Sequence, residues 1–489
     1  MNGNLLFLLP VLVPVLFGLA AWRARSVRGR HALCTIGLCA NLLVTWGLIV
    51  LCPGQELTLW RITPTLPICF HMDGIARLFL GLVSLVWLLV GVYSYEYMTH
   101  EENEEKFDLF FMISLGVLMG LGMSANLVTL YMFYELMTLL TLPLVIHTRT
   151  REAVAAGIKY LVYSVFGASM ALLGIFFMNR YGTTLSFTAG GVLDAAKIAG
   201  HESLLLAILF LMIVGFGVKA GMFPLHAWLP TAHPVAPAPA SAVLSGVITK
   251  AGVLGIVRVI YYIGGVEFLR GTWVQYAFMT LSLITVVMGS TLALLEHQLK
   301  KRLAYSTVSQ VSYVLFGLST MTEAGFMGAL LHVVFHSLIK NCLFLSAGSI
   351  IEQTGETDVR RMYALGKRMP VVMWCYTIAS AALIGIPPAC GFVSKWYLAS
   401  GALSLEGSVS WIGPAALLVS ALLTAAYLLP LSLRGFFPGK AQEGQAAAPC
   451  EPGPLMRWPL IVLAALCLLL GMFPTPLIEF ARAIAAAVL

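Results

Sequence analysis

Two lysines in long apolar segments are the residues of this chain best placed to do chemistry. Lys219 and Lys250 each lie among residues that are almost all apolar or small. An ammonium group in the hydrocarbon core of a membrane costs at least about 2.5 to 3.5 kcal/mol on insertion scales, so such a residue is a functional candidate. The pair predicts a hydrated protein interior that handles cations.

The segment between these lysines is rich in proline. The prolines are Pro224, Pro230, Pro234, Pro237 and Pro239. Each proline removes a backbone donor and clashes with the preceding helical turn, so one continuous helix is excluded. Non-helical backbone at membrane depth occurs only where protein or a water-filled cavity covers it. We therefore expect a broken helix that lines the ion-handling interior.

A third apolar segment supplies an acidic group. Glu135 lies at the middle of NLVTLYMFYELMTLLTLPLVI, with Tyr131 one turn before it and Thr138 about one turn after it. Desolvation would keep a lone carboxyl neutral there unless a cation lies nearby. The alternatives to a functional role are a structural ion pair and a protonated, hydrogen-bonded acid. Basic residues at similar depth in other segments favour function.

Three ionisable residues share one face of a later segment. His332, His336 and Lys340 are spaced i, i+4 and i+8 in LHVVFHSLIKNCLFLSAGSII, which on a helix makes a polar stripe about 12 Å long. Histidine is the side chain that changes charge nearest neutral pH. We interpret the stripe as a proton relay, with a hydrogen-bonded polar seam as the alternative.

A second broken segment follows the stripe. In IGIPPACGFVSKW, Pro387, Pro388 and Gly391 interrupt an apolar helix, and Lys395 comes after the break. Two discontinuous helices in comparable positions of two chain halves are typical of inverted-repeat transporters. Of the other embedded basic residues, Lys159 lies where a long side chain can reach the interface. Arg258 is either a structural anchor or part of the pathway.

Composition places the chain in the membrane. Of its 489 residues 59% are hydrophobic and 10% charged, whereas soluble domains are roughly a quarter charged. Apolar runs of about 17 or more residues predict about fourteen transmembrane helices in an all-α integral membrane protein. The predicted spans are 4–22, 31–51, 76–95, 108–124, 126–147, 154–179, 203–228, 239–263, 272–295, 303–320, 325–351, 371–400, 409–436 and 457–487.

The distribution of basic residues predicts the orientation. Loops after odd-numbered spans hold seventeen Lys and Arg residues, and loops after even-numbered spans hold five. Positive loops stay in the cytoplasm, so both termini are expected outside, in a prokaryotic cytoplasmic (inner) membrane. We take the first apolar run as a retained span, since no positive residue precedes it and no small-residue cleavage site follows. The net charge of +7 is then an orientation signal, and no nucleic-acid partner is expected.

Motifs for redox centres and nucleotides are missing. The nine cysteines show no C-x-x-C and no metal-binding His/Cys spacing, and no G-x-x-x-x-G-K motif is present. We expect no cofactor and no metal in this chain, so its driving energy comes from elsewhere. Residues 438–454 are rich in Ala, Gly and Pro, which is typical of a flexible linker.

The matched breaks divide the chain into four parts. Residues 1–107 hold the peripheral spans one to three, and 108–265 hold a first inverted repeat of spans four to eight. Residues 266–437 hold a second repeat of spans nine to thirteen, and 438–489 hold the linker and the final span. Spans seven and twelve are the discontinuous helices.

Five motifs in this order carry a resemblance to a known family. They are FYELMTLLTLPL, GVKAGMFPLHAWLPTAHPVAPAPASAVLSGVITKAG, KRLAYSTVSQVSYVLFGL, HVVFHSLIKNCLFLSAGSI and GIPPACGFVSKW. Together they resemble the antiporter-like membrane subunits shared by NADH:quinone oxidoreductase (respiratory complex I), energy-converting membrane-bound hydrogenases and Mrp-type Na+/H+ antiporters. The resemblance covers roughly residues 70 to 435.

The resemblance implies a fourteen-helix fold with two inverted five-helix repeats and a buried file of charged groups that conducts protons. Its residues would be the gate pair Glu135 and Lys219, the axis residues Lys250 and His332, the flanking His336 and Lys340, and the terminal donor Lys395. The implied partners are other membrane and peripheral subunits of a redox or antiporter complex, the lipid bilayer, and H+ or Na+.

Two features bear on the branch of the family. The complex I subunit of about this length usually has a glutamate where Lys395 stands, whereas His226 and His233 resemble the complex I and hydrogenase branches more than Mrp. We expect a proton-translocating subunit of a hydrogenase or complex I type pump, without a redox centre of its own. The alternatives are an Mrp-type Na+/H+ antiporter subunit and a structural anchor that does not transport.

Overall fold

The computed structural model describes residues 5–63, 66–439 and 450–489, and these residues are mostly helical. In chain order the principal helices are α1 (Leu9–Trp22), α2 (Val27–Leu51), α3 (Gly74–Tyr97), α4 (Glu104–Gly122), α5 (Leu127–Val145), α6 (Arg151–Tyr181), α7 (Glu202–Ala220), α8 (Leu229–Val235), α9 (Ala238–Gly264), α10 (Trp273–Leu295), α11 (Leu299–Thr320), α12 (Glu323–Thr354), α13 (Pro370–Ile384), α14 (Cys390–Leu403), α15 (Val409–Phe436), α16 (Pro454–Met472) and α17 (Thr475–Val488). Short helical turns lie at Leu5–Leu8, Met98–His100, Ala195–Ile198, Val266–Leu269, Val359–Arg361 and Leu365–Arg368.

Eleven helices within the described ranges are long and apolar enough to cross a membrane. The prediction of a predominantly helical, multi-pass membrane protein is confirmed, whereas the strict all-α class is not, because one β-hairpin is present, and the count of fourteen spans is not confirmed. The spans predicted at 108–124 and 303–320 form helices, but α4 begins on a charged run and α11 is rich in Ser and Thr. The span predicted at 371–400 consists of two shorter helices, α13 and α14.

Polar residues at the helix starts explain several boundaries. An N-cap side chain that accepts a backbone N–H of the first turn satisfies a donor that the helix itself leaves unpaired. Such caps are formed at the starts of α2, α3, α5, α6 and α12 by Ser26, Asp73, Asn126, Thr150 and Thr322. These polar residues interrupt an otherwise apolar sequence, and each one determines where its helix begins.

Both predicted helix breaks are present. Helix α7 ends at Gly221, whose φ is 77°, and the chain turns before α8 begins. Helix α13 ends at Gly385, whose φ is 95°, before α14 begins at Cys390. Glycine adopts this left-handed conformation without the steric penalty of a Cβ, so each break follows from a glycine and the prolines beyond it.

Helices α9 and α12 form the centre of the molecule. In the apolar stretch of α9, 100% of the residues are buried inside the protein, and in that of α12 94% are buried. In the apolar stretch of α1, only 28% are buried. Helix α9 contains two wider π-helical turns, Leu244–Ile248 and Arg258–Gly264. Such turns are rare and are frequently found at functional sites. The polar residues of these two central helices, among them Lys250 and His336, are buried inside the protein.

Two elements depart from the predicted helices. Strands β1 (Glu56–Thr63) and β2 (Leu66–His71) form an antiparallel hairpin that the sequence analysis did not predict. The final span, predicted at 457–487, ends at Met472 because Pro474 and Pro476 follow. Helix α17 is separate, with buried Ile484 on one face and exposed Arg482 on the other. Residues 440–449 of the predicted linker lie outside the described residues.

Candidate functional site

Lys219 lies in the last turn of α7 and is fully buried. Its Nζ donates to Thr138 Oγ1 at 2.8 Å, Tyr160 OH at 3.1 Å and Ser164 Oγ at 3.0 Å. The same Nζ lies 4.6 Å from the centre of the Tyr160 ring. An ammonium group has three donors, and all three are used. This hydroxyl cage from α5 and α6 lets a charged amine exist at membrane depth.

Glu135 lies on α5 beside this cage, but it does not close an ion pair with Lys219. The described residues contain no salt bridge within 4.0 Å that joins these two side chains, and Glu135 Oε1 is buried without a hydrogen-bond partner. The two residues predicted to form a gate pair are therefore not paired in the structure, and Thr138 is one of the groups that contact the Lys219 ammonium instead.

Lys250 lies on α9 and is 1% exposed. Its Nζ donates to the Ser245 carbonyl at 2.6 Å and lies 2.7 Å from Nδ1 of His336. Ser245 is five residues before Lys250, within the first π-helical turn. The wider turn thus brings a backbone acceptor to the lysine.

The two histidines of the predicted stripe stack on each other. The ring centres of His332 and His336 are 5.8 Å apart, with an interplanar angle of 20°. His332 Nδ1 lies 2.9 Å from Ser394 Oγ, and its ring stacks at 5.6 Å on Tyr313. Contacts therefore run from α9 through α12 to α14.

Lys340, one turn beyond His336, points away from the contacts between Lys250 and the two histidines. Its Nζ donates to the Leu303 carbonyl at 3.0 Å and to the Ser306 hydroxyl, both on α11. No hydrogen bond between Lys340 and His336 is found in the described part of the chain. The three residues were predicted to share one helical face. In the structure, His336 contacts α9, whereas Lys340 contacts α11.

Lys395 lies on α14 beyond the second break. Its Nζ donates to the carbonyls of Leu383 at 2.6 Å and Ile384 at 2.8 Å, the last residues of α13. It also lies 5.1 Å from the centre of the Tyr313 ring. A cation at a helix C-terminus is stabilised by the unpaired carbonyls and the negative end of the helix dipole. The break in the helix therefore creates the binding site for this lysine.

Helices α7 and α9 approach each other closely between the two central lysines. A Cβ added at Gly252 would lie 2.5 Å from the Phe216 carbonyl oxygen and 3.1 Å from Lys219 Cβ. Only glycine allows this approach. Lys219 and Lys250 share no hydrogen-bond partner among the described residues.

One buried histidine was not among the predicted pathway residues. His233 on α8 is fully buried, and neither ring nitrogen has a hydrogen-bond partner in the described structure. Its ring stacks at 4.8 Å on Phe344, and Lys340 Nζ lies 5.9 Å from the centre of that same ring. In the sequence, His233 is distinguished by its place in the proline-rich segment that follows Lys219.

The other embedded basic residues have structural contacts. Arg258 donates to both carboxylate oxygens of Asp73, at 3.0 Å for the Nη2–Oδ1 contact. It is therefore an anchor, one of the two alternatives that the sequence left open. Lys159 is half-buried and lies 6.0 Å from the centre of the Tyr163 ring, in agreement with an interfacial lysine.

Three residues of the types that bind metal ions form a cluster far in sequence from the buried lysines and histidines. His31, Glu104 and Asp108 bring ligand atoms within 4.8 Å of one another. The Arg30 guanidinium lies between the acids, however, with Nε donating to Asp108 Oδ2 at 2.9 Å and Nη2 to Glu104. These carboxylates already neutralise a fixed cation, so the cluster is explained as an ion-pair network that joins α2 to α4.

Comparisons with known proteins match most of the chain. Residues 124–425 match the family model described as NADH:quinone oxidoreductase/Mrp antiporter, TM. Residues 62–111 match the model described as NADH-Ubiquinone oxidoreductase (complex I), chain 5 N-terminus. The chain is 31% identical over 420 residues to NADH-quinone oxidoreductase subunit N of Desulforudis audaxviator, covering 83% of this chain and 82% of that protein.

Two further comparisons come from the other branches. Hydrogenase-4 component B of Escherichia coli is 32% identical over 425 residues, covering 82% of this chain and 62% of that protein. A chain in the structure of the Mrp complex from Dietzia sp. DQ12-45-1b superimposes with a TM-score of 0.84 at 21% identity, covering 99% of this chain and 97% of that one. The last comparison concerns the fold.

Proposed function

The chain belongs to the NADH:quinone oxidoreductase/Mrp antiporter family, and we propose that it moves protons across the membrane along its buried Lys/His file. It is an antiporter-like, multi-pass membrane subunit. The observation that carries the proposal is the series of contacts from Lys250 to His336, His332 and Ser394, next to Lys395. Such a series of exchangeable groups has no purpose in simple packing, because each group costs desolvation energy at this depth.

In this proposal, separation of Glu135 from Lys219 drives release of the lysine proton. Moving a proton against roughly 150 to 200 mV requires about 3.5 to 4.6 kcal/mol. A close ion pair favours the charged form of both partners, and its loss favours release of the proton. We propose that Glu135 alternates between contact with Lys219 and the open arrangement. Opening then sends the Lys219 proton through water toward Lys250, and Lys395 delivers it to the outer side.

We also propose the topology that the family resemblance implied. Residues 108–265 and 266–437 form two inverted repeats, supported by the two helices that end on Gly221 and Gly385 beside functional lysines. Residues 1–107 are peripheral, and 438–489 hold the linker and the final helices. The asymmetry of loop charge supports a cytoplasmic (inner) membrane location with both termini outside.

Partner subunits provide the energy in this proposal. The relatives are named as a subunit of NADH-quinone oxidoreductase and a hydrogenase-4 component. We therefore place the chain in a multi-subunit redox pump of complex I or hydrogenase type. An Mrp-type Na+/H+ antiporter subunit shares the fold and is the competing assignment.

The test uses the parent complex, isolated through an affinity tag on this chain and reconstituted in vesicles. Protons translocated per electron are measured for the wild type, Lys219→Met and Lys250→Met. We expect both variants to lower this ratio while electron transfer continues. Unchanged ratios would contradict the pathway and support an anchor without transport. Sodium-dependent proton movement without an electron donor would assign the chain to the Mrp branch instead.

A further inference from the structure

An apolar groove opens on the outer surface of the helix bundle, away from the buried contacts between Lys250 and the two histidines. It has a volume of about 480 Å³ and lies between α2, α3, α12, α16 and α17. Its walls include Trp46, Leu78, Leu82, Val334, Leu470 and Phe480. Two rim residues are open to the surroundings, since Trp46 is 47% exposed and Phe473 is 66% exposed. The volume lies within the range of small-molecule sites, roughly 300 to 1,000 Å³.

One charged residue, Arg77, lies at the end of this groove. It is in the first turn of α3, and its guanidinium lies 5.1 Å from the centre of the Phe480 ring. Its Nε is buried without a hydrogen-bond partner, and no carboxylate of the described ranges pairs with it. Arg30, Arg258, Arg270, Arg360 and Arg482 each have such a carboxylate. Arg77 is thus a cation at the end of the groove without a carboxylate partner among the described residues.

A second cavity continues from the groove at this arginine. It has a volume of about 390 Å³, and Arg77 and Phe480 line both cavities. Its other walls include His71, Asp73 and Tyr262, so it is more polar than the groove. Asp73 is already neutralised by Arg258. The start of α3 also lies here, but the Asp73 carboxylate already caps it, so Arg77 is the group that remains to pair with an anion.

We propose that the groove and its polar extension bind an anionic phospholipid. Its phosphate pairs with Arg77, its headgroup occupies the chamber near His71, and an acyl chain fills the groove. A guanidinium presents a planar fork that matches phosphate oxygens. The occupant must combine one anionic end with a long apolar tail, which fits a lipid. An apolar helix of a partner would leave Arg77 unpaired. This proposal does not depend on which ion the chain transports.

The proposed lipid site and the two histidines lie on opposite sides of the same helix, α12. Val334 and Leu338 line the groove, and they alternate along the helix with His332 and His336 on its other side. A bound acyl chain packs against the helix that carries the relay. The lipid therefore supports the position of the relay helix.

The test uses the full chain in nanodiscs of zwitterionic phosphatidylcholine that contain a small fraction of phosphatidylglycerol with a photoactivatable acyl chain. Cross-linked peptides are located by mass spectrometry. We expect cross-links concentrated on the groove walls of α2, α3 and α16. Arg77→Gln should reduce them about fivefold, the effect of one cation near an anionic headgroup. Labelled phosphatidylcholine should cross-link more weakly and show no change in Arg77→Gln.

Two further variants separate charge from shape. Gly81→Leu leaves Arg77 intact but places a side chain beside Trp46 and Ile49, so it should reduce cross-linking by filling the groove. Arg482→Gln removes a charge from α17 outside the groove and should have no effect. Cross-links spread evenly over lipid-facing helices, equal yields for both headgroups, or an unchanged yield in Arg77→Gln would overturn the proposal. So would a protein cross-link that places a partner helix in the groove of the assembled complex.

Discussion

The Nζ atom of Lys250 lies 2.7 Å from Nδ1 of His336. A charged ammonium has donors only, so the facing nitrogen must be an acceptor and His336 must be neutral while Lys250 holds its proton. If Lys250 passes a proton on, as we propose, His336 is the titratable group in direct contact with it. The family resemblance placed His332 on the axis and His336 beside it. The geometry supports the reverse order for this step.

This order predicts different effects for the two histidines. His336→Ala should lower proton translocation by at least roughly tenfold, because it removes the group that receives the proton. His332→Ala should have a smaller effect, since Ser394 and Tyr313 lie beside the gap it leaves. The rate of proton uptake by vesicles that contain the parent complex measures both. A larger loss in His332→Ala would restore the order implied by the resemblance.

The hydroxyl cage predicts that Lys219 depends on neutral partners. Thr138→Val removes the hydroxyl that lies 2.8 Å from Nζ while keeping the shape of the side chain. We expect a partial loss of translocation, because the protonated lysine loses one of three acceptors. Ser169→Ala on the exposed side of α6 is the control, since its hydroxyl bonds only to the Val165 carbonyl. Equal activity in wild type and Thr138→Val would show that the cage does not hold the proton.

The contacts of Lys395 predict the outcome of a charge reversal. Lys395→Glu places a carboxylate against the carbonyls of Leu383 and Ile384, which repel it. This variant should translocate fewer protons than Lys395→Gln, and Lys395→Arg should retain most activity. Measuring all three in the same vesicles separates the sign of the charge from loss of the amine. If Lys395→Glu matched the wild type, the carbonyls would not select a cation here.

The anchor between Arg258 and Asp73 predicts a loss of stability rather than of transport. Arg258 is 1% exposed, and removal of the acid leaves a buried, unpaired charge. Asp73→Asn should lower the free energy of unfolding by about 3 kcal/mol. Thermal unfolding of the purified chain measures it. Glu479→Gln is the matched control: it breaks an exposed pair with Arg482 and should leave the unfolding temperature unchanged.

The same pair predicts a pH dependence. Burial by itself would raise the pKa of Asp73, but Arg258 beside it and the hydrogen bonds from Arg258 and the Ala76 amide lower this pKa below its ordinary value. A carboxyl with a lowered folded pKa contributes stability above its unfolded pKa, and loses that contribution as pH falls through the folded value. The stability difference between wild type and Asp73→Asn should thus be constant from neutral pH down to about 4 and shrink below it. A difference that shrank between pH 8 and 6 would assign the effect to another group.

The sequence by itself determined the class of the protein and the inventory of its site. An apolar composition with so few charges is typical of a membrane protein. The free-energy cost of placing Lys219, Lys250 and Lys395 in a membrane identified them as functional candidates. Glycine and proline placed the two helix breaks, because their backbone limits are local. The hairpin at Glu56–His71 and the separate helix α17 were missed, since neither interrupts or extends an apolar run in a way that spacing alone reveals.

Only the tertiary structure decided which of these residues meet. Spacing placed His332, His336 and Lys340 on one helical face, yet His336 contacts α9 and Lys340 contacts α11. Glu135 and Lys219 form no salt bridge among the described residues, and Arg77 lies without a carboxylate partner there, at a groove formed by five helices. The physical reason is that a helical period fixes the direction of a side chain about its own axis. Its partner depends on which helix packs against that side, and packing joins residues far apart in the chain.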